Sequence, residues 1–347
     1  MKKGNPDRLR TFRKLVNNAM DFTTNALNDL PKRPKYSVIH FYAAIELFLK
    51  ARLLLEHWTL VIDDPGKANL ASFQNGDFRS VTLTQSAERL DKILRQPLKD
   101  HEKECFKRLG DERNKMVHFI DATKTDQKQM DRVVFTELQA WHYIYRLLTK
   151  TWAEDFRRFN RKLTSLNREV KQRLPQFGKA KFEAVSPEID AEKKKGAKIE
   201  KCDVCGFVAS KIQVVQKNLH SRSCFVCESV WNCGRYLLIK CACGEDVAYS
   251  ESGDRCNKCG KVITSEDLVD EYGPSFHPKH NPEPEIAHCS ECEEEAVIAW
   301  EQDWLCLNCL TMHSEISNCN YCGTRITGSG EDTSLGCFVC PGPSYPD

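Results

Sequence analysis

The 347-residue sequence has no long apolar run. No stretch approaches the roughly 18 consecutive apolar residues that a membrane-spanning helix needs, and the mean hydropathy is −0.52. The first residues, Met1 to Pro6, carry charges with no apolar segment behind them, so we expect no secretory signal. These absences exclude an integral membrane protein and favour a cytoplasmic location with no membrane partner.

Cysteine is almost absent from residues 1–200, which contain only Cys105, while residues 201–347 contain the other 17 of the 18 cysteines. Charge divides in the same place. Residues 1–200 carry 40 Lys and Arg against 27 Asp and Glu, and residues 201–347 carry 11 against 22. The basic part suits an anionic partner such as nucleic acid. In a reducing compartment, the regularly spaced cysteines of the acidic part indicate metal binding rather than disulfides.

Cysteine pairs follow one another along the acidic part as seven Cys-x-x-Cys motifs and one Cys-Ala-Cys motif. Two successive pairs supply the four thiolates of one tetrahedral zinc ion. Sequence order predicts four such sets: Cys202, Cys205, Cys224 and Cys227; Cys241, Cys243, Cys256 and Cys259; Cys289, Cys292, Cys306 and Cys309; Cys319, Cys322, Cys337 and Cys340. Each set is saturated with cysteine, so we predict four structural Zn²⁺ ions and no catalytic metal. Cys233, His220 and His288 stay as alternative ligands.

These sets predict small β-rich zinc-ribbon modules, because a ribbon of about 30–40 residues cannot bury enough apolar surface to fold without metal. The predicted modules are residues 200–228, 236–272, 286–312 and 316–342, with a proline-rich linker over 273–285. Glycines follow several pairs directly, where a left-handed backbone lets amides face sulfur; they are Gly206, Gly244, Gly260 and Gly323. The acidic ribbons suit docking of a protein partner, including the basic part of this chain.

Residues 1–175 have helical patterning with few turn signals. The predicted helices run from Pro6 to Leu30, Tyr36 to Trp58, Thr84 to Arg95 and Pro97 to Phe119. The second is apolar almost all round and is predicted to be the central helix. The expected fold class is therefore an all-α helical bundle followed by small β-rich zinc-ribbon modules.

The apolar stripe from Val134 to Leu174 has a period of about 3.6 and predicts one last helix about 60 Å long. Its part beyond Trp152 would need a second protomer or the ribbons as a packing partner. That part is basic, which indicates either contact with RNA, docking or a solvated face; the residues are Arg157, Arg158, Arg161 and Lys162. Residues 176–199, after Pro175, are predicted to be a polar linker.

A polar motif, Arg113-Asn114-x-x-x-His118, ends the fourth predicted helix. An arginine suits a phosphate oxygen pair, a histidine suits proton transfer, and Asn114 lies one turn before His118, where it can orient it. Arg113 and His118 are five residues apart, which corresponds to about 140° around a helix. Their side chains therefore point in different directions in one copy, and two copies related by a twofold axis would bring an arginine and a histidine together better. A second match, Arg52 to His57, lies in the apolar helix and is predicted to be structural.

With Glu46-Leu-Phe-Leu-Lys50 upstream, this motif resembles the HEPN family of helical-bundle proteins over about residues 5–150. The resemblance implies a homodimer with a composite, metal-independent endoribonuclease site of Arg113, Asn114 and His118. Glu46 would either hold that site in place or simply pair with Lys50. Some HEPN toxins carry a modified tyrosine two residues after the histidine. Ile120 stands there in this chain, so we do not expect that regulation.

The predicted function is thus an endoribonuclease effector of toxin or anti-phage defence type. It would cleave RNA by attack of the 2′-hydroxyl, with zinc ribbons that recognise a trigger or partner or restrain the enzyme. The alternative is a non-catalytic zinc-ribbon adaptor that binds protein or nucleic acid.

Overall fold

The computed structural model describes residues 6–118, 127–228, 234–251, 254–272, 286–328, 333 and 336–340. The chain divides into two compact units, Met1–Pro187 and Glu188–Asp347. The first unit is helical and the second consists of β-sheets that carry the cysteine sets, so the predicted fold class is confirmed. None of the helices in the described ranges is long and apolar enough to span a membrane.

Helices account for most of the first unit. They are α1 (Pro6–Asp29), α2 (Pro34–Glu56), α3 (Leu70–Asn75), α4 (Leu83–Lys92), α5 (Asp100–His118), α6 (Gln127–Arg146), α7 (Ala153–Phe156), α8 (Asn160–Arg173) and α9 (Phe177–Lys194). Short 3₁₀ turns lie at Trp58–Val61, Pro65–Lys67 and Arg157–Phe159, and a π-helical turn at Leu147–Thr151. The positions of α1, α2, α4 and α5 confirm the predicted helices to within about three residues. These four segments have the strongest helical patterns in the sequence.

Helix α2 is the centre of the bundle, as its all-round apolar sequence predicted. Phe41, Ile45, Phe48 and Leu49 are completely or almost completely buried. Helix α1 packs along α2 through Phe12, Val16 and Met20, which belong to the same core cluster. Burial of this continuous apolar surface is the main stabilising term of the unit.

The predicted single long last helix is wrong. The chain leaves α6 through the π-helical turn, and α7, a 3₁₀ turn and α8 follow. Trp152 and Phe156 enter the core, where Phe156 meets Phe12 at a ring-centroid distance of 5.4 Å. The indole of Trp141 on α6 donates a hydrogen bond to Asn167 on α8 over 3.1 Å. The apolar stripe therefore persists because successive short helices face one core, and the part beyond Trp152 packs within its own unit.

The predicted polar linker over 176–199 is also wrong in its larger part, because α9 occupies Phe177–Lys194. The helix has an apolar face at intervals of three and four residues, and its members are buried: Phe177, Ala180, Ala184, Val185 and Ile189. The hydroxyl of Tyr143 on α6 donates to the Ala184 carbonyl over 3.2 Å. Pro187 lies inside the helix and is exposed to solvent. Proline has no backbone N–H, so one hydrogen bond of the helix is lost at this position.

One carboxyl group lies in the helical core. Glu137 on α6 is 4% exposed, and its Oε1 lies 2.5 Å from the hydroxyl of Ser37 on α2. That hydroxyl also lies 2.8 Å from the Ala26 carbonyl oxygen, which can only accept. A serine has one hydroxyl proton, so Ser37 donates to Ala26 and Glu137, as a neutral acid, donates to Ser37. Burial accordingly raises the pKa of Glu137 to about 8.

The described part of the second unit contains two larger sheets and one small one. The strands are β1 (Lys198–Lys201), β2 (Val208–Gln216), β3 (Leu219–Cys224), β4 (Arg235–Lys240), β5 (Asp246–Tyr249), β6 (Asp254–Arg255), β7 (Val262–Ile263), β8 (Ala287–His288), β9 (Glu295–Trp300), β10 (Asp303–Cys306), β11 (Met312–His313), β12 (Ile316–Asn318) and β13 (Arg325–Thr327). Helix α10 (Ser265–Tyr272) precedes the predicted 273–285 linker, which lies outside the described residues.

The four cysteine sets are combined in pairs by these sheets. Strands β1 to β5 form one sheet in sequence order, which joins the first two sets. The other sheet has the order β11-β10-β9-β8-β13-β12 and joins the last two sets through the parallel pair β8–β13. Leu219 and Leu237 from the first sheet and Trp300 and Leu305 from the second share one apolar cluster.

Candidate metal centres and the Arg113–His118 face

Each of the four predicted cysteine sets is assembled in the structure, with the ligand atoms of each set within 4.8 Å of one another. In each set the first cysteine meets the fourth, and the second meets the third. Local turns bring the two members of a pair together, while strand pairing brings the two pairs together. In the first set, for example, the pairing of β2 with β3 places Cys224 opposite Ser210, near the Cys202 turn.

The sulfur–sulfur distances fit a tetrahedral ion. At a Zn–S bond of about 2.3 Å, the edge of a tetrahedron of sulfurs is about 3.8 Å. The measured separations are 3.7 Å for Cys202–Cys227, 3.6 Å for Cys205–Cys224, 3.5 Å for Cys241–Cys259 and Cys243–Cys256, 3.7 Å for Cys289–Cys309, 3.6 Å for Cys292–Cys306, 4.0 Å for Cys319–Cys340 and 3.8 Å for Cys322–Cys337. A disulfide would require about 2.05 Å, so these thiols are arranged as ligands.

The turns after seven of the eight cysteine pairs each contain a left-handed residue. Gly206, with φ of 75°, donates its amide to the Cys202 carbonyl over 2.8 Å, and Gly244, Gly260 and Gly323 close equivalent turns. Three turns use other residues in the same conformation, and these were missed by the sequence reasoning: Glu228, Glu293 and Leu310. Their positions follow from the spacing alone, since each comes directly after a Cys-x-x-Cys pair.

Backbone amides and hydroxyls stabilise thiolates in these sets. Amide donors from Cys259 lower the pKa of the Cys256 thiol to about 6, and the Thr324 hydroxyl lowers that of Cys322 to about 6. Burial, and to a smaller extent the neighbouring Cys309 thiolate, raise the pKa of Cys289 to about 11. A bound dication removes that conflict, so the donor sets fit a metal such as zinc.

None of the described alternative ligands joins a set. The His220 ring stacks on Tyr236, and His288 lies near the Glu293 carbonyl and Glu295. Cys233 lies outside the described residues. His313 on β11, which the sequence reasoning overlooked, lies with its Nε2 3.3 Å from the Cys289 sulfur. Burial lowers the pKa of this ring.

Arg113 lies half-buried near the end of α5. Its guanidinium carbon is 5.8 Å from the ring centroid of Tyr42 on α2, and the guanidinium donates to Asn114 Oδ1 over 2.9 Å. Gly110 lets α5 approach α2 here, because a Cβ on it would come within 2.8 Å of the Tyr42 ring. None of the ion pairs between described residues includes Arg113, so its charge remains available for an anion.

His118 is the last residue of α5 and is exposed. The structure therefore joins Arg113 to Asn114, and among the described residues neither side chain forms a hydrogen bond with the His118 ring. Glu46 pairs with Lys50, which also donates to Ser80 over 2.9 Å. Tyr42 lies between Glu46 and Arg113. Burial, followed by Glu46, raises the pKa of Tyr42.

A cavity of about 570 Å³ opens beside Asn114, between α2, α4 and α5. Its apolar lining includes Tyr42, Ala87 and Leu98, and its rim carries charges of both signs, such as Lys107. The cavity gives a ligand room next to the Arg113–Asn114 pair.

The second Arg-x4-His match is structural, as predicted. Arg52 is 5% exposed and pairs with Glu56 and Asp155 at 3.1 Å. His57 caps the following 3₁₀ turn by accepting from the Thr59 amide.

The predicted basic residues of the last helix lie on the 3₁₀ turn before α8 and on the first turn of α8 itself. Arg157, Arg158, Arg161 and Lys162 are all exposed. Among the described residues, none of the ion pairs includes these four side chains. Their role towards RNA or a docking partner stays a prediction.

In comparisons with protein-family models, curated proteins and solved structures, nothing matched this chain.

Proposed function

We propose that this chain is a homodimeric, metal-independent endoribonuclease of the HEPN type, acting as an effector of a toxin or of anti-phage defence. The observation that carries the proposal is the Arg113 guanidinium, which is held against Tyr42 and Asn114 yet forms no described ion pair. A fixed, uncompensated guanidinium on a helix face is suited to bind a phosphate through two parallel hydrogen bonds. The exposed His118 at the end of the same helix is suited to proton transfer.

Cleavage in this proposal is an internal transfer at phosphorus. The His118 imidazole takes the proton of the 2′-hydroxyl, and the oxygen attacks the adjacent phosphorus. A P–O2′ bond forms and the P–O5′ bond breaks, which leaves a 2′,3′-cyclic phosphate. The departing 5′ oxygen takes a proton from an imidazolium and becomes a hydroxyl. Arg113 stabilises the negative charge that builds up on the phosphorane oxygens.

Helix geometry supports the proposed dimer. Arg113 and His118 are separated by about 140° around α5, so a second copy of α5 brings the arginine of one protomer towards the histidine of its partner. Val117, beside His118, is 42% exposed, and a twofold contact at the end of α5 would cover it.

Zinc is the metal that we propose for the four cysteine sets, because four thiolates in a closed tetrahedron are the typical ligands of structural zinc. Zinc there supplies folding energy and takes no part in cleavage. Metal analysis of the purified chain should give four zinc ions. The variant Cys289→Ser should give three, and Cys105→Ala, at the buried cysteine of α5, should keep four. Four ions in both variants would contradict the assignment.

The test of the nuclease is cleavage of total RNA by the purified protein during a short exposure to EDTA, so that the second unit keeps its metal. We expect products with 5′-hydroxyl ends from the wild type and at least about 100-fold slower cleavage by Arg113→Ala and His118→Ala. Arg132→Ala on the surface of α6 and His57→Ala from the structural motif serve as matched controls and should cleave normally. Equal rates in all five proteins would end the proposal and favour the adaptor.

A further inference from the structure

The sheet β1–β5 has one buried face and one open face. On the buried face, Leu219, Leu237 and Tyr249 pair across β3, β4 and β5 and enter the apolar cluster of the second unit. The strand alternation turns the neighbouring residues to the other side. Val214, His220 and Tyr236 pair across β2, β3 and β4 in a single row there.

Stacked aromatic rings and a guanidinium form the middle of this open face. The rings of His220 and Tyr236 are 5.2 Å apart with an angle of 15° between their planes. The Arg222 guanidinium lies 5.2 Å from the Tyr236 centroid, and Asp203 accepts from it over 2.6 Å and fixes its position. These groups are thus arranged before any ligand arrives.

Apolar side chains extend the same face without cover. Val214 is 70% exposed and Leu238, two residues beyond Tyr236 on β4, is 38% exposed. Ala248 on β5, which pairs with Leu238, is exposed and too small to cover the Tyr236 ring. His220 and Tyr236 are half-buried, so their rings are partly exposed beside these apolar side chains.

Local charge distinguishes this sheet from the rest of its unit. Residues 198–249, which span the five strands, contain seven Lys and Arg against five Asp and Glu, while residues 250–347 contain five against eighteen. A zinc ion with four thiolates adds a formal charge of 2−, so the sheet with its first cysteine set is neutral while the rest of the unit is acidic. Lys198 and Lys240 flank the rings in exposed ion pairs with Glu200 and Asp246. Such pairs are weak and can exchange for a phosphate.

We infer that this open face binds single-stranded nucleic acid. Bases would stack on the Tyr236–His220 pair, apolar contacts would come from Val214 and Leu238, and the backbone phosphates would meet Arg222, Lys198 and Lys240. Every base has a π-face, so such a surface accepts many sequences. A duplex keeps its bases stacked inside and offers nothing to the rings. The inference does not depend on cleavage at Arg113 and His118.

The experiment is fluorescence anisotropy with labelled strands of about 12 nucleotides, within the usual length of such sites. It uses the zinc-loaded full chain carrying His118→Ala, so that no RNA is cut. Separate arms contain single-stranded RNA, single-stranded DNA of the same sequence, the RNA duplex and a polyglutamate peptide. Comparison of the RNA and DNA arms tells which nucleic acid the face prefers.

We expect Tyr236→Ala to weaken single-strand binding by about 5- to 100-fold and Tyr236→Phe to preserve it, because stacking and not the hydroxyl carries the contact. Val214→Glu should also weaken binding by repelling phosphates, and its 70% exposure makes misfolding no concern. Lys240→Ala should reduce the slope of log affinity against log salt by about 0.7. The matched control is Tyr321→Ala, at a tyrosine that is 52% exposed outside this sheet, and it should bind normally.

Zinc content and circular dichroism are recorded for each variant. Unchanged binding by both Tyr236→Ala and Val214→Glu would overturn the inference. Equal affinity for duplex and single strand would also overturn it, as would binding of the acidic peptide alone.

Discussion

In residues 1–187 the buried apolar side chains form one continuous cluster that runs through α1, α2, α5, α6 and α8. Residues 188–347 have smaller clusters, and these include cysteines of the metal-binding sets, such as Cys241 and Cys256. The sheet unit has short strands and must obtain part of its folding energy from metal. The two units should therefore respond to different perturbations.

Metal removal should produce the largest difference in stability between the two units. Prolonged chelation should unfold the sheet unit, because structural zinc contributes on the order of 10 kcal/mol per site, while the helices persist. Hydrogen exchange would show loss of protection in β2 and β9 and retained protection in α2. Equal loss in α2 would mean that the helical unit also needs metal.

A core truncation should have the reverse effect. Phe48 on α2 is completely buried, so Phe48→Ala should lower the free energy of unfolding of the helical unit by about 3–5 kcal/mol. The metal content should stay unchanged. Thermal unfolding with parallel metal analysis measures both. Leu70→Ala, at a leucine that is 52% exposed, should change stability by less than about 0.5 kcal/mol, and a large effect there would show that exposure is a poor guide in this unit.

The buried acid gives the helical unit a pH dependence. The pKa of Glu137 is raised to about 8 in the fold from an ordinary value of 4.5. Its stabilisation is therefore complete below about pH 4.5 and is lost as the pH rises towards 8. Between pH 5.5 and 7.5, Glu137→Gln should become more stable than the wild type by about 1.4 kcal/mol for each pH unit. Denaturant unfolding at several pH values tests this, and parallel curves would show that Glu137 is ionised in the fold.

The smallest effect concerns the turns that follow the cysteine pairs. Glu293 has φ of 65° and is exposed, so Glu293→Gly should relieve about 1 kcal/mol of backbone strain. Gly323→Ala, with φ of 77° and no atom within 4 Å of the added Cβ, should cost a similar amount. The first variant removes a side chain from a left-handed residue, and the second variant adds one. Resistance of the metal to a weak chelator should rise in the first and fall in the second, and a shift of the same sign in both would reject the turn argument.

The sequence predicted the cysteine sets correctly because the two cysteines of each pair lie in one local turn. Their spacing along the sequence therefore determines how close their sulfurs lie in the structure. It also located α2, whose apolar residues leave it no exposed face. It failed over Val134–Leu174 because a period of 3.6 is compatible both with one long helix and with shorter helices facing one core. The contacts of Trp152 and Phe156 with residues distant in the sequence determine where the helix is interrupted.

The prediction of a linker over residues 176–199 failed for a different reason. Its lysines and Pro187 suggested a linker, while its apolar face was narrow and appeared only once Phe177 and Ala180 met the bundle. Nor could the sequence place Tyr42 beneath Arg113, because that contact joins residues 71 positions apart and depends on Gly110. The roles of Arg113 and His118 in cleavage stay a prediction.

The parallel pairing of β8 with β13 has a practical consequence. It ties the third cysteine set to the fourth, and the Thr327 hydroxyl accepts from the Ser290 amide over 2.8 Å beside it. A truncation after β11 would leave β8 with an open edge and Ser290 without its partner. Protein engineers who wish to transplant a single ribbon from the end of this chain should therefore move at least the last two together.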